Sequence, residues 1–318
     1  MTPPPAVAEE TWRDVLAAVE VAARTSSSNE AELAEHLYSD WYLGVAAPDA
    51  NEFRVRPPGP VDVNLVDVLR ARHVDTGRWV SGWTVTSISN RGRIAVASNG
   101  QHRVVCRVDV LPVARPYLPP RIGERVSITA RRDVVDPAGA FWFAYAGGWD
   151  ENAIPPGLVR FYWNAPRYAA PSVVGSVTRH LAGTRTSYAL KVAIGDADVL
   201  RPDGVVLYLT TDEVDGACPA IREAYREVAA QLRAAVPRLT LRLGHGLAVA
   251  EDPDTGESFG QHRCRLVAEA ISHVLRLGRA GGAETAAAVV DHVRAAGIDP
   301  KRPHLRPGST KDYRWPPR

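Results

Sequence analysis

Lysine occurs only three times in this chain, at Lys191, Lys301 and Lys311, so 38 − 3 = 35 of its basic residues are arginine. Lys301 and Lys311 fall in a proline-rich tail where a solvated charge is expected. Lys191 falls inside an apolar stretch, Tyr188-Ala-Leu-Lys-Val-Ala-Ile194, that reads as a strand. An amine there is either a gatekeeper on an edge strand or a buried functional group able to act as a base. A second chemical stretch is Ser258-Phe-Gly-Gln-His262-Arg263. Ser258 with Gln261 makes a capping box, so a helix is expected from Ser258 to about Leu277. His262 and Arg263 then lie in its first turns, where free backbone N–H groups and the helix dipole favour an anion.

Two further clusters carry polar groups at strand spacing. In Arg160-Phe-Tyr162-Trp-Asn164 the odd apolar pair faces a core, while Arg160, Tyr162 and Asn164 share the other face. Arg201-Pro-Asp203 opens the apolar strand that contains Tyr208, and reads either as an anion site at a strand end or as a surface turn with a local ion pair. The acidic run Glu251 to Glu257 does not fit an EF-hand, and no HExxH or zinc spacing occurs, so no metal and no cofactor is expected. GxSxG, GxGxxG and GxxxxGK[ST] are absent, and His245 reads as structural.

The elements that must position these residues follow from periodicity. Helices are expected at Glu9 to Arg24, Asn29 to Leu43 and Val61 to His73, with a proline-rich linker at Arg54 to Pro60. From Trp79 the period becomes two, with strands through Trp83-Val85-Ser87, Arg93-Ala95-Ala97, Val104 to Val110, Val126-Ile128-Ala130 and Phe141-Phe143-Tyr145. Asn90-Arg-Gly92 and Asn99-Gly100 mark the hairpins. Beyond Gly147 the pattern alternates: strands at Val159 to Asn164, Ser187 to Ile194 and Gly204 to Thr210, and helices at Ala170 to Ala182, Pro219 to Ala234 and Ala283 to Ala296. The expected class is α+β: a helical head and a small antiparallel sheet or barrel in residues 1–150, then a mixed α/β catalytic domain in 151–318. The aromatic-rich N-terminal domain is the expected peptide-docking surface, by strand addition.

A net charge of +2 over 318 residues argues against nucleic acid and a membrane surface as partners. With no apolar run able to span a bilayer, no signal peptide and three cysteines lacking CxxC spacing, a cytoplasmic location is expected.

Phe161-Tyr-Trp-Asn164, Leu190-Lys-Val192, Arg201-Pro-Asp203 running into Val206-Leu-Tyr208-Leu209, Gly246 to Pro253 and Ser258 to Arg263 together resemble the HopA-type effector family. That family includes type III secreted effectors of plant pathogens and proteins of class V lanthipeptide and thioviridamide-like (thioamitide) biosynthesis. The resemblance implies, in the biosynthetic branch, a lyase. A separate aminoglycoside-kinase-like phosphotransferase phosphorylates Ser or Thr of a ribosomal precursor peptide carrying a leader, and the HopA-like partner eliminates the phosphate to leave dehydroalanine or dehydrobutyrine. The arginine-rich, lysine-poor composition suits that branch better than an effector. Within this reading Lys191 is the base, its pKa lowered from about 10.4 by burial and neighbouring arginines. His262 is the acid or a second phosphate ligand. Arg201 and Arg263 clamp phosphate, Asp203 belongs with Arg201 to the phosphate- and substrate-binding group, Arg160 and Asn164 hold the substrate amide or phosphate, and Asn164 or Tyr208 donates to the enolate-like oxygen. A non-catalytic phosphopeptide- or leader-binding partner of the kinase and a host-protein-binding effector remain the alternatives.

Overall fold

The computed structural model describes residues 7–25, 29–44, 63–74, 79–89, 94–101, 103–107, 120–129, 132–150, 153–195, 201–278 and 282–313. The expected linker at Arg54 to Pro60, the turn at Asn90 to Gly92 and the strand end at Val108 to Val110 lie outside them. The chain is α+β, and it divides into one unit made of Met1–Val74 with Val134–Arg318 and a second, Asp75–Asp133.

The smaller unit holds β1 (Trp79–Ser89), β2 (Ile94–Ser98), β3 (Arg103–Arg107) and β4 (Arg125–Thr129) in the antiparallel order β3-β2-β1-β4. Asn99-Gly100 joins β2 to β3 as its turn chemistry predicts, with Gly100 at φ 94°. Trp83 and Val85 are buried, but a bulge between Val85 and Ser87 shifts the register and turns Ser87 outward.

The division differs from the expected boundary at residue 150, because the strand at 141–146 pairs with a strand of the C-terminal half. The larger unit contains β5 (Asp133–Val135), β6 (Phe141–Ala146), β7 (Leu158–Trp163), β8 (Tyr188–Ala193), β9 (Val205–Thr210), β10 (Leu241–Gly244) and β11 (Leu247–Glu251). Their order is β10-β11-β7-β9-β8-β6-β5, and β6 pairs antiparallel with β8. Trp142, Ala144 and Ala146 share one buried core with Leu190 and Val192, and this burial draws β6 into the larger sheet.

Helices α4 (Ala170–Leu181) and α5 (Thr211–Val228) cover that face of the sheet. Helix α5 begins at Thr211, ahead of the expected start at Pro219, so Pro219 lies inside the helix and removes one backbone N–H donor from it. A two-residue turn at His245-Gly246, with Gly246 at φ 66°, makes β10 and β11 a hairpin that strand periodicity had not signalled. His245 Nε2 lies 3.1 Å from the Leu232 carbonyl, a structural role.

The helical head belongs with this sheet too. Together α1 (Glu9–Arg24), α2 (Glu30–His36), the π-helical turn Leu37–Tyr42, α6 (Phe259–Arg276) and α7 (Gly282–Ala295) form a second core that takes in Tyr162, Val206 and Ala250 from the other sheet face. The buried Asp14 carboxylate accepts from Arg238 at 2.8 Å and from the Leu239 N–H at 3.0 Å, tying α1 to the segment before β10. The remaining helix, α3 (Val63–Arg72), packs Leu65, Val66 and Leu69 into the first core. No helix among the described residues is long and apolar enough to cross a membrane.

The start of α6 follows its sequence signal. Gln261 N–H donates to Ser258 Oγ at 3.3 Å, and Ser258 N–H donates to the Gln261 side chain at 3.1 Å. Gly260 is required for a different reason: a Cβ there would stand 2.4 Å from a ring carbon of Tyr42 and 2.8 Å from one of Tyr38. Gly260→Ala should therefore displace the two tyrosines and cost about 1–3 kcal/mol, as overpacking does. Urea unfolding checks this, and an unchanged midpoint would refute the tight contact.

Candidate functional site

Strand β8 lies between β9 and β6, so Lys191 is on an interior strand and the edge-gatekeeper reading falls. Cross-strand partners share a face, and one row of them runs Phe143, Lys191, Val206, Tyr162, Ala248. This is the face opposite the α4–α5 core. The Lys191 Nζ stands 3.6 Å from the centre of the Phe141 ring, and the Arg201 guanidinium carbon stands 5.2 Å from the same centre. Two cations thus share one aromatic face, within the range where the ring quadrupole attracts them.

The arginines are held by carboxylates. Arg201 donates through Nε to Asp203 Oδ1 at 2.9 Å and through a terminal nitrogen to Oδ2 at 3.0 Å. The local ion pair foreseen for this turn exists, but it is not on the surface: the two side chains are 15% and 8% exposed. Burial alone would raise the Asp203 carboxyl; the Arg201 pair and the Lys191 charge outweigh it and hold the group below its usual range. Arg160 pairs with Asp252, its Nε donating at 2.9 Å, and its guanidinium lies 5.3 Å from the centre of the Tyr208 ring. Asp252 was a turn residue to the sequence reading, because nothing in the acidic run marks which carboxylate turns inward. Among the described residues, Lys191, Arg160, Arg201, Asp203 and Asp252 are the charged side chains that these contacts bring together.

Four tyrosines close the cluster. Tyr208 and Tyr162 come from the sheet, and Tyr38 and Tyr42 from the π-helical turn, stacked with ring centres 5.5 Å apart. Tyr42 lies close to Tyr162 and Tyr38 close to Arg201, near enough for each pair to influence one another's protonation. Burial, followed by the Asp203 charge, pushes the Tyr38 hydroxyl up to about 12, and burial raises Tyr42, Tyr162 and Tyr208 as well. All four keep their protons at neutral pH and are available as O–H donors. The i, i+4 spacing of Tyr38 and Tyr42 was visible in the sequence; what they face was not.

The remaining expected site residues lie elsewhere. Arg263 is completely buried, donating to the carbonyls of Pro303 at 3.1 Å and Leu305 at 2.9 Å and to His262 Nδ1 at 2.7 Å, with Phe259 packed against it. Its guanidinium is engaged with backbone and is not a phosphate clamp. His262 accepts from that guanidinium, and the charges acting most on it are Arg263, Arg265, Glu257 and Glu269, none from the sheet cluster. Asn164 is buried, its amide donating to Ala235 O at 2.9 Å, in a structural role. Among the described residues no group of three or more His, Cys, Asp or Glu side chains is placed to hold a metal.

Burial first, then the Arg263 charge, lowers His262 to about 4, and burial lowers His304 to about 4. Both imidazoles are neutral in the folded protein at pH 7. A base with a depressed folded pKa is protonated preferentially when unfolded, so stability is complete above the unfolded value of about 6.5 and falls between there and about 4. The loss should approach roughly 3 kcal/mol for each of these histidines. Urea titrations at pH 7 and pH 4.5 test this, and His262→Gln should flatten part of the slope; equal slopes in the variant and the wild type would contradict it.

The HopA1 effector protein family model matches residues 138–305, which span β6 through α7 and so contain the whole sheet face except the two head tyrosines. Two solved structures, the effector proteins of Pseudomonas syringae pv. tomato strain DC3000 and of Pseudomonas syringae pv. syringae strain 61, share the fold at 14% identity. The first aligns with a TM-score of 0.51 over 93% of this chain and 97% of its own. The second aligns with a TM-score of 0.50 over 95% of this chain and 99% of its own. No curated protein matches. With more than half of its 318 residues inside the family match, the chain belongs to the HopA1 effector protein family.

Proposed function

We propose that this protein is a phosphoserine/phosphothreonine lyase acting on a ribosomal precursor peptide that a separate aminoglycoside-kinase-like enzyme has phosphorylated. The observation that supports this reading is the gathering of one amine, two guanidiniums and protonated phenols on one face of an apolar sheet. A dianionic phosphate entering there meets Arg201 and Arg160 as bidentate donors. Lys191, in its neutral form, takes the Cα proton. The electron pair released forms the Cα=Cβ double bond, the Cβ–O bond breaks, and phosphate leaves. Tyr38, beside Arg201, or Tyr208, beneath Arg160, supplies the proton for the departing oxygen, replacing the role first assigned to His262. Tyr208, protonated and packed against Arg160, serves as the donor to the developing enolate. No metal or cofactor enters these steps.

A second reading, an effector that binds a host protein, draws support from the fold shared with two Pseudomonas syringae effectors. A third, a phosphopeptide- or leader-binding partner of the kinase, would use the same cations without turnover. Loss of phosphoric acid from a phosphorylated precursor peptide, followed by mass spectrometry, separates them. Lys191→Ala should slow elimination by at least about a hundredfold, as removing a general base does. Arg201→Gln should chiefly raise KM. Turnover by Lys191→Ala at the wild-type rate would refute the assigned base, and phosphate-dependent binding without turnover would favour the kinase partner.

A further inference from the structure

The chemistry assigned to this sheet face uses Lys191 and the arginines but leaves the strand beside them unexplained. Phe141, Phe143 and Tyr145 alternate along β6 with the buried Trp142, Ala144 and Ala146, so their rings stand on the Lys191 face. Each is only half-buried, and none belongs to either apolar core. The rings form a row: Phe141 and Phe143 have centres 6.4 Å apart at 63°, and Phe143 and Tyr145 have centres 6.5 Å apart at 7°. One end of the row is the ring that carries both Lys191 and Arg201.

We infer that this aromatic row is the subsite for residues flanking the phosphorylated one, and that it makes the enzyme select peptides with an apolar side chain two positions from the phosphoresidue on one side. The inference rests on the phosphopeptide reading above. An extended peptide presents every second side chain to the same surface, spaced about 6.6–6.8 Å apart. The ring spacings match that repeat. With phosphate drawn to the cations at the Phe141 end, the next side chain facing the protein reaches Phe143, and the one after it reaches Tyr145. The occupant must therefore carry an anion at one point and apolar groups at two-residue intervals from it. A phosphorylated extended peptide has that pattern. The row, on β6 of the larger unit, is a different docking place from the N-terminal strands that the sequence suggested.

The test uses the full chain and short fluorescein-labelled peptides with a central phosphothreonine and Leu, Gly or Asp two residues before or after it. Binding is read by anisotropy and elimination by mass spectrometry. On one side of the phosphoresidue, Leu should be favoured over Gly by about tenfold in Kd or kcat/KM, the scale of an apolar subsite. Phe143→Ser should abolish that preference and Phe143→Leu should keep it, while Lys191→Ala weakens Leu and Gly peptides alike. If Phe143→Ser fails to fold, Tyr145→Ser carries the comparison at the position four residues away. Equal treatment of Leu and Gly peptides, a preference that survives in folded Phe143→Ser, or no peptide binding overturns the subsite. Selective binding without release of phosphate keeps the subsite and overturns the lyase.

Discussion

A guanidinium sealed completely from water is the constraint around which the larger unit is arranged. Taking Arg263 out of solvent costs several kcal/mol unless its donors are met, and here three of them meet the Pro303 and Leu305 carbonyls and the His262 ring. Those carbonyls belong to the C-terminal tail, so the tail is part of the core of the fold. Glu251, equally buried, accepts from the Arg306 N–H, the Ser309 hydroxyl and the Tyr313 hydroxyl, and fixes the same tail from the end of β11. One residue further on, Asp252 turns to Arg160. A single turn thus joins the tail anchor to the candidate site, through adjacent carboxylates facing different arginines.

This arrangement explains why the sequence misled at the start of α6. The capping box, the helix and its apolar face were all legible, because each depends on residues within a few positions of one another. The anion site inferred from His262 and Arg263 is not formed, since Arg263 is taken up by carbonyls about forty residues away in the tail and by His262 beside it, and the count of free donors at a helix start says nothing about what the tertiary fold delivers to them. The same limit explains the misplaced boundary. Alternation showed β6 as a strand, but strand pairing is long-range, and whether Phe141–Ala146 joins the preceding meander or the following sheet depends on where Trp142 is buried. Arg160, Lys191, Arg201, Asp203 and Tyr208 were legible for a simpler reason: polar groups on one face of apolar strands need an explanation wherever that face ends up.

The head changes meaning once it is placed. Its helices share a core with Tyr162, Val206 and Ala250 of the sheet, Tyr42 packs against Phe259, and Gly260 admits both head tyrosines. The turn that presents Tyr38 and Tyr42 is π-helical, a local distortion that recurs at functional sites because it re-aims side chains that a regular helix would stagger differently. The effect on the site is electrostatic. The rings exclude water around Arg201 and Asp203, and a drier surrounding strengthens every charge interaction there.

The type of cation on the face bears on what it can do chemically. Lys191 shares the face with Arg160 and Arg201, and its charge acts on Asp203, which also accepts from two nitrogens of Arg201. A lysine on this strand stands out in a chain that otherwise chooses arginine. Arginine would supply that charge equally well, but its pKa keeps it protonated at any physiological pH. Of the two, only lysine can carry a positive charge and also, once deprotonated, act as a base.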